Sequence, residues 1–363
     1  MKRGTVLIMA GGTGGHVFPA LAAARVLRER GYEPVWLGTQ RGLEAKLVPP
    51  QHIEIEWISV SGLRGKGFAT WLAAPFKLSL AIWQSLQVMR RRRPNVVLGA
   101  GGFVSGPGGV AAWLTRRPLV IHEQNAVAGM TNRMLARLAL RVLEAFPASF
   151  PPGAHAERVG NPVRREIASL ATPAERFGQR SGPLRLLVFG GSQGAARLNA
   201  VVPAALATID SASRPLVIHQ AGERHLAQAR ELYTKHNVQA DVRAFIDDMA
   251  EAYAWADLVV CRSGALTVSE LAAAGLPAIF VPFAAAVDDH QTLNAKFLVD
   301  AHAAISIAEA QLTPPRLAEE LQKLLRGGRQ LLTTMAARAR AVAIIDADVR
   351  LADACDAVAG GAR

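Results

Sequence analysis

Three runs rich in glycine follow apolar stretches in this chain: Gly11-Gly12-Thr13-Gly14-Gly15, Gly99 to Gly109 (GAGGFVSGPGG), and Gly190-Gly191-Ser192-Gln193-Gly194. At a strand-to-helix turn, missing side chains let backbone N–H groups and the helix N-terminus approach phosphate or hydroxyl oxygens. Three such turns on the carboxyl ends of parallel strands suit one ligand with several phosphates and hydroxyls, or two ligands that meet for group transfer. Tight turning and close helix packing are the alternative use of any one loop. No Gly-Lys-Ser/Thr follows the first loop, and the second apolar run ends in Gly38-Thr39 with no acidic residue for a ribose. Phosphate-loop hydrolysis of nucleotides and nicotinamide chemistry are therefore disfavoured.

His16 follows the first loop at the start of a helical pattern, and His122-Glu123-Gln124-Asn125 ends another apolar run in the same half. His16 and Glu123 are both candidates for a general base. The competing roles are a helix-end hydrogen bonder for His16 and a buried carboxylate paired with an arginine for Glu123; His122 reads either as core or as a support behind the residues that meet the ligand. In the second half, Cys261 to Pro282 (CRSGALTVSELAAAGLPAIFVP) places Ser263-Gly264-Ala265 on a strand-to-helix turn. The helix N-terminus carrying Leu266 and Thr267 can then hold a diphosphate without a metal. Glu270, one turn further, either accepts hydrogen bonds from ribose hydroxyls or serves the helix dipole alone. Asp346-Ala347-Asp348 reads as helix capping, and Asp288-Asp289-His290 as a turn or sugar-binding loop, so no bound metal is expected.

The elements that must position these residues alternate along the chain. Strand-like runs occur at Thr5 to Ala10, Pro34 to Gly38, Ile53 to Ile58, Val96 to Ala100, Leu119 to Glu123 and Arg141 to Phe146. A second series runs through Leu184 to Gly190, Leu216 to Gln220, Val242 to Ile246, Leu258 to Cys261, Ala278 to Phe283 and Ala303 to Ile307. Strands separated by helical patterns argue for parallel sheets covered on both faces, hence two doubly wound α/β domains. VLIMAGGTGGH and LLVFGGSQGAA open the two series with the same design, and the boundary falls in the Pro-containing stretch Asn161 to Pro183. Helical patterns alone follow Gln311, at Pro314 to Arg326, Arg329 to Ile344 and Val349 to Ala359; the last is expected to cross back to the first domain.

A length of 363 residues, 50% hydrophobic and 19% charged, supplies two large cores and excludes disorder. Two cysteines, Cys261 and Cys355, make neither a disulfide framework nor a four-ligand zinc site, and fit a reducing compartment. Lys77 interrupts the most apolar stretch, Trp71 to Met89, short of the roughly 18 residues a spanning helix needs. MKRGTVLIMAGGTGG reads as a first strand and turn rather than a signal peptide. The net charge of +12 is uneven: residues 1 to 180 hold 24 Lys+Arg against 10 Glu, a net of +14, and the remainder −2. One domain is thus expected to meet an anionic partner, whether nucleic acid, acidic lipid or phosphorylated substrate; the alternative is a generally Arg-rich proteome.

GGTGGHVFPA, GAGGFVSGPGG, HEQN, GNPVR, GGSQGA, FIDDM, CRSGALTVSELAAAGLPA and DDHQTLNA, in this order as far as about Ala295, resemble the bacterial MurG glycosyltransferases. The resemblance implies a GT-B fold, two Rossmann-like doubly wound parallel-sheet domains facing a cleft. Residues 1–163, with the C-terminal helix 345–363 packing back on them, would take the acceptor and meet the membrane; residues 164–344 would bind the donor. The implied reaction is an inverting transfer of GlcNAc from UDP-GlcNAc to the MurNAc 4-hydroxyl of undecaprenyl-linked lipid I, giving lipid II for peptidoglycan, cell shape and division. Arg164, Ser192, the backbone of Ile246, Ala265, Leu266, Thr267, Val268, Ser269, Glu270 and Gln291 would hold the UDP-sugar, with Thr13, Gly14, Gly15 and Asn125 closing over the sugar. Gly101, Gly102, Ser105 and Gly106 would meet the acceptor pyrophosphate, and His16 becomes the leading base, ahead of Glu123.

A lipid acceptor also gives the basic half a role. Trp71, Leu72, Phe76, Leu80 and Trp83, with Lys77 among them, offer more apolar surface than one core face requires and suit lying on an anionic membrane surface; the alternative is a helix buried on two sides. The expected location is the cytoplasmic face of the inner membrane, with cell-wall synthesis proteins as further partners, no cofactor and no nucleic acid. One departure from the family pattern, Phe283-Ala284-Ala285-Ala286, leaves open which of His290 and Gln291 touches the sugar. The competing readings are a related UDP-sugar enzyme, such as a UDP-GlcNAc 2-epimerase or another lipid-directed GlcNAc transferase, and a basic nucleotide-sensing scaffold. HEQN and GGFVSGPGG speak against the former, and the second complete domain against the latter.

Overall fold

Val6 and Ile8 point to one side of the first strand and Leu7 and Met9 to the other, and all four are fully buried. A run with no exposed face belongs in the middle of a sheet covered twice. In the computed structural model, which describes residues 3–60, 74–191, 194–284 and 289–360, that is where it lies.

Met1–Val163 together with Ile344–Arg363 form one compact unit, and Arg164–Ala343 the other. The first unit holds β1 (Gly4–Met9), β2 (Tyr32–Gly38), β3 (Glu54–Trp57), β4 (Val96–Gly99), β5 (Leu119–Glu123), β6 (Arg141–Glu144) and β7 (Glu157–Arg158). All pair in parallel, in the order β3-β2-β1-β4-β5-β6-β7. Between them run α1 (Gly14–Glu29), α2 (Glu44–Leu47), α3 (Ala74–Arg92), α4 (Ser105–Leu114) and α5 (Met130–Leu135). β7 has two polar residues and carries no strand pattern of its own, so the sequence reading passed over it.

The second unit holds α6 (Arg165–Ala168), α7 (Pro173–Gly178), β8 (Arg185–Phe189), α8 (Ala196–Ala207), β9 (Leu216–Gln220), α9 (Leu226–Lys235), β10 (Asp241–Arg243), α10 (Met249–Trp255), β11 (Leu258–Cys261), α11 (Ala265–Ala274), β12 (Ala278–Phe280), α12 (His290–Asp300), β13 (Ala304–Ser306) and α13 (Pro314–Val342). Its parallel order, β10-β9-β8-β11-β12-β13, repeats that of the first unit's leading six strands. Gly328 breaks α13 with φ +60, between the two helices expected there.

α14 (Ala347–Ala359) closes the first unit by packing on α1: Leu351, Ala352 and Cys355 join the core cluster of Ala20, Ala24 and Leu27. Arg30 bridges Asp353 and Asp356, both at 2.6 Å, and Arg25 reaches Asp348 at 3.2 Å. Asp346 stands at the N-cap position, but its carboxylate accepts from Arg350 Nε at 2.9 Å and caps no backbone N–H, contrary to the capping role expected of it.

Each sheet buries one histidine. His122 and His219 are both fully buried, and burial pushes each imidazole down to about 4. Between pH 4 and the ordinary value near 6.5, the unfolded chain therefore binds protons that the folded chain refuses, so stability is full above about pH 6.5 and falls as pH drops. Each unit is expected to lose about 2 kcal/mol between pH 7 and pH 5 from its histidine. Glu270, raised by its burial, works in the opposite sense in the second unit. Urea unfolding at the two pH values measures the difference; equal midpoints would show that the histidines are not buried neutral.

Candidate active site

In a sheet of this order the strand sequence reverses between β1 and β4, and loops leaving the carboxyl ends of these two strands diverge around a crevice. Gly11 to Gly15 leave β1 and Gly101 to Gly106 leave β4, so the expected acceptor residues gather at this switch point. The two loops touch. Gly102 has φ +84, and a Cβ on it would stand 2.2 Å from the Gly11 carbonyl oxygen. Gly101, at φ +96, leaves room for the His16 ring, whose Nδ1 lies 2.6 Å from where its Cβ would be.

Thr13 is the N-cap of α1 in an extended conformation, with no hydrogen bond from its side chain to the helix. Gly14 and Gly15 open the helix, where amide N–H groups have no carbonyl a turn earlier to bond. His16 follows, half-buried, with Nδ1 2.9 Å from Gln124 Oε1. Glu44, which the sequence reading did not single out, shapes this loop from beneath: it is fully buried and accepts from Gly12 N (3.0 Å), Thr39 N (2.9 Å) and Thr39 Oγ1 (2.8 Å). Its signal was the pair of glycines, Gly11 and Gly42, whose missing side chains make space for the carboxylate.

Two of the expected site residues, Ser105 and Glu123, are buried and hydrogen-bonded within the fold. Ser105 is fully buried; its hydroxyl accepts from Gly101 N at 3.1 Å and faces the carbonyls of Met9 (3.0 Å) and Gly101 (2.9 Å). It braces the β4 loop against the end of β1. Glu123 accepts from Asn125 N (3.0 Å) and Nδ2 (3.2 Å) on one oxygen, and from Gly129 N (3.1 Å) and Asn132 Nδ2 (2.9 Å) on the other. These partners are amides, not the arginine expected. With four donors on two oxygens, the carboxylate shapes the loop from Asn125 to Gly129.

The second unit repeats the design at β8 and β11. Gly190 and Gly191 leave β8, while Ser192 lies outside the described residues. Arg262 to Gly264 leave β11, and α11 begins at Ala265 with Gly264 as an N-cap that has no side chain to satisfy the first N–H groups. No acidic residue occupies that first turn, so the N–H groups of Ala265, Leu266 and Thr267 present an uncompensated positive end. Val268 is buried in the core, and Ser269 Oγ donates to Ala265 O at 3.0 Å within the helix.

Glu270 is buried, and burial raises its carboxyl; Arg164 Nε donates to Oε1 at 3.0 Å and Tyr253 Oη to Oε2 at 3.2 Å, which oppose the rise. Arg164 and Glu270 are thus brought together, with Tyr253 as an unforeseen third member. Ile246 N–H donates to Gln220 Oε1 at 2.9 Å, and Gln220 Nε2 in turn holds Gly191 O at 2.9 Å. A ligand at Ile246 would therefore use its carbonyl. Gln291 Oε1 accepts from Phe283 N at 2.9 Å, and its own carbonyl accepts from Ser263 Oγ at 2.7 Å. A cavity of about 830 Å³, lined by Arg214, Leu216, Asp241 and Trp255, opens at the opposite, amino ends of β9 and β10, away from these residues.

Trp71 and Leu72 lie outside the described residues. α3 buries only Ala81, Ser85, Val88 and Met89, and leaves Phe76 75% and Trp83 55% exposed, with Lys77 and Leu80 on the same open surface. The helix is therefore not buried on two sides. No helix among the described residues is long and apolar enough to cross a membrane.

Residues 6–144 match the family model of the glycosyltransferase family 28 N-terminal domain, and residues 185–349 that of its C-terminal domain. The UDP-N-acetylglucosamine–N-acetylmuramyl-(pentapeptide) pyrophosphoryl-undecaprenol N-acetylglucosamine transferase of Nitrosococcus oceani is 56% identical over 98% of this chain and 99% of its own length. Its counterpart in Alkalilimnicola ehrlichii is 57% identical over 96% of this chain and 98% of its own. The crystal structure of Acinetobacter baumannii MurG superposes with a TM-score of 0.87 at 42% identity, covering 98% of this chain and 99% of that one. Agreement of this kind over nearly the full length and in both domains makes this chain a GT-B glycosyltransferase of family 28 that belongs to the MurG family of N-acetylglucosaminyltransferases.

Proposed function

We infer that the chain moves N-acetylglucosamine from UDP-N-acetylglucosamine to the MurNAc 4-hydroxyl of undecaprenyl-pyrophosphoryl-MurNAc-pentapeptide, the step that completes the lipid-linked disaccharide for peptidoglycan and so supports cell shape and division. The observation that carries this reading is the identity of 56% over 98% of the chain to a transferase of that name. In the proposed reaction the acceptor oxygen attacks the anomeric carbon as its proton passes to the His16 imidazole. The bond from that carbon to the diphosphate breaks, UDP leaves with the electron pair, and the configuration inverts. The N-terminus of α11 stabilises the negative charge that builds on the diphosphate, while Glu270 takes the ribose hydroxyls and Arg164 lies beside it.

The test is release of UDP by purified protein with and without a soluble lipid I analogue, in the presence of a chelator. Release that needs the analogue and yields a GlcNAc–MurNAc disaccharide is the expected result. Bound UDP-N-acetylglucosamine with no acceptor-dependent release would reject the acceptor. Glu270→Ala is expected to raise KM for the donor roughly 10- to 100-fold with a smaller change in kcat, since a hydrogen bond to a charged group contributes about 1.5–3 kcal/mol. An unchanged KM would remove Glu270 from the donor site.

The open surface of α3 supports docking on the cytoplasmic face of an anionic membrane, where cell-wall synthesis proteins would also be met. Phe76 and Trp83 would enter the headgroup region and Lys77 would meet lipid phosphate. Replacing both aromatic residues by aspartate is expected to weaken sedimentation with anionic vesicles by tenfold or more, roughly the loss of burying one such side chain. Equal sedimentation of the variant and the native protein would reject this face.

A further inference from the structure

His16 is one end of a chain of hydrogen bonds that runs into the core of the first unit. Its Nδ1 meets Gln124 Oε1 at 2.9 Å. Gln124 Nε2 lies 2.8 Å from Ala100 O and 3.1 Å from His122 Nδ1, and His122 Nε2 lies 2.9 Å from Gly160 O. Backbone carbonyls only accept, so every proton in this chain is assigned by its two fixed ends. Gly160 O requires a proton on His122 Nε2. Burial keeps that imidazole neutral at physiological pH, so His122 Nδ1 is an acceptor. Both Ala100 O and His122 Nδ1 then require the amide nitrogen of Gln124 to face them, which turns its carbonyl oxygen towards His16. That oxygen accepts only from a protonated Nδ1, and neutral His16 is left with its lone pair on Nε2.

We propose that Gln124 is a positioning residue which, through its bonds to Ala100 O and His122, selects the His16 tautomer whose Nε2 is free to receive the acceptor proton. The proposal rests on His16 being the base. It goes beyond that assignment by naming what fixes the ring and which nitrogen acts. The nearby carboxylates do not compete for this role, because Glu44 is taken by Gly12 and Thr39 and Glu123 by Asn125, Gly129 and Asn132. His16 is therefore oriented by a neutral amide, which sets the tautomer without adding a negative charge beside the imidazolium. Asn161 Nδ2 holds the backbone carbonyl of Gln124 at 2.9 Å, and Gly101, lacking a side chain, lets the β4 loop lie against the ring.

The experiment is a long-range proton–nitrogen correlation spectrum of the full-length protein carrying 15N-histidine at pH 8, with His16 assigned from the signal lost in His16→Ala. The expected spectrum shows a protonated Nδ1 and an unprotonated Nε2 for His16; a protonated Nε2 would overturn the proposal without any further variant. Gln124→Leu and Gln124→Met keep the volume and remove the carbonyl. Either is expected to mix the His16 tautomers and lower kcat roughly 10- to 100-fold, with KM for UDP-N-acetylglucosamine unchanged. A native kcat in a folded Gln124 variant would overturn the positioning role, even where His16→Ala is inactive. Full transfer by His16→Ala would instead overturn the base assignment on which the role depends.

Discussion

Replacing His16 by alanine is expected to lower kcat by about 10²- to 10⁴-fold, the range contributed by a positioned general base, while UDP-N-acetylglucosamine binds with nearly native affinity. The separation follows from where the groups sit. His16 stands on α1 of the first unit, whereas Arg164, Tyr253 and Glu270 form their hydrogen-bonded group within the second. The variant should fold, because the ring is half-buried and its loss leaves Gln124 Oε1 short of one hydrogen bond, a cost of about 1 kcal/mol. Calorimetric donor titration and saturation kinetics with a lipid I analogue measure both halves. A donor affinity that collapses along with kcat would make His16 a binding residue, and a native kcat would leave the base unidentified.

Gly102→Ala is expected to be nearly as damaging with no change of chemical group. The residue has φ +84, and its new Cβ would stand 2.2 Å from Gly11 O, 2.9 Å from Gly11 C and 3.0 Å from Gly11 N. All three are backbone atoms, so no side chain can rotate aside and one of the two loops must move. The strained backbone alone costs about 1–3 kcal/mol, and a displacement near 1 Å in the residues around a reacting centre is expected to cost on the order of 10²-fold in kcat. Gly12→Ala separates the two causes, because Gly12 also has positive φ, +91, but an added Cβ there meets nothing within 4 Å. Gly12→Ala should lose stability to a similar degree and keep more of its activity. Equal activity in the two variants would mean that contact between the loops is unimportant.

Much of the fold was legible because a parallel strand covered on both faces leaves a continuous apolar run. β1, β5, β9 and β11 show such runs and lie where they were expected, whereas β7 consists of Glu157 and Arg158 and leaves no pattern. Site residues were legible as kinds more than as individuals. A glycine loop announces a close approach, yet only the structure shows that Ser105 turns inward beneath its loop and that Val268 enters the core. Gln124 and Gln220 were missed for a related reason. A neutral amide has no characteristic spacing, and its meaning lies in partners far along the chain: Gln124 meets a residue 108 positions away and Gln220 one 26 positions away. Glu44 sits 32 positions from the glycine loop that it supports, so its role too is fixed by tertiary contact.

The docking of α14 on α1 has a consequence for the order in which the protein is made. The second unit is one continuous segment, Arg164–Ala343, and its sheet is complete once that segment has left the ribosome. The first unit is discontinuous: although its strands emerge earlier, the surface of Ala20, Ala24 and Leu27 stays open until Leu351, Ala352 and Cys355 arrive. The unit whose strands emerge earlier is therefore completed later, and the bonds from Arg30 to Asp353 and Asp356, across 323 and 326 residues, form only after the second unit has been made. Until that helix docks, the apolar side chains of Ala20, Ala24 and Leu27 lack the partners that bury them in the finished unit.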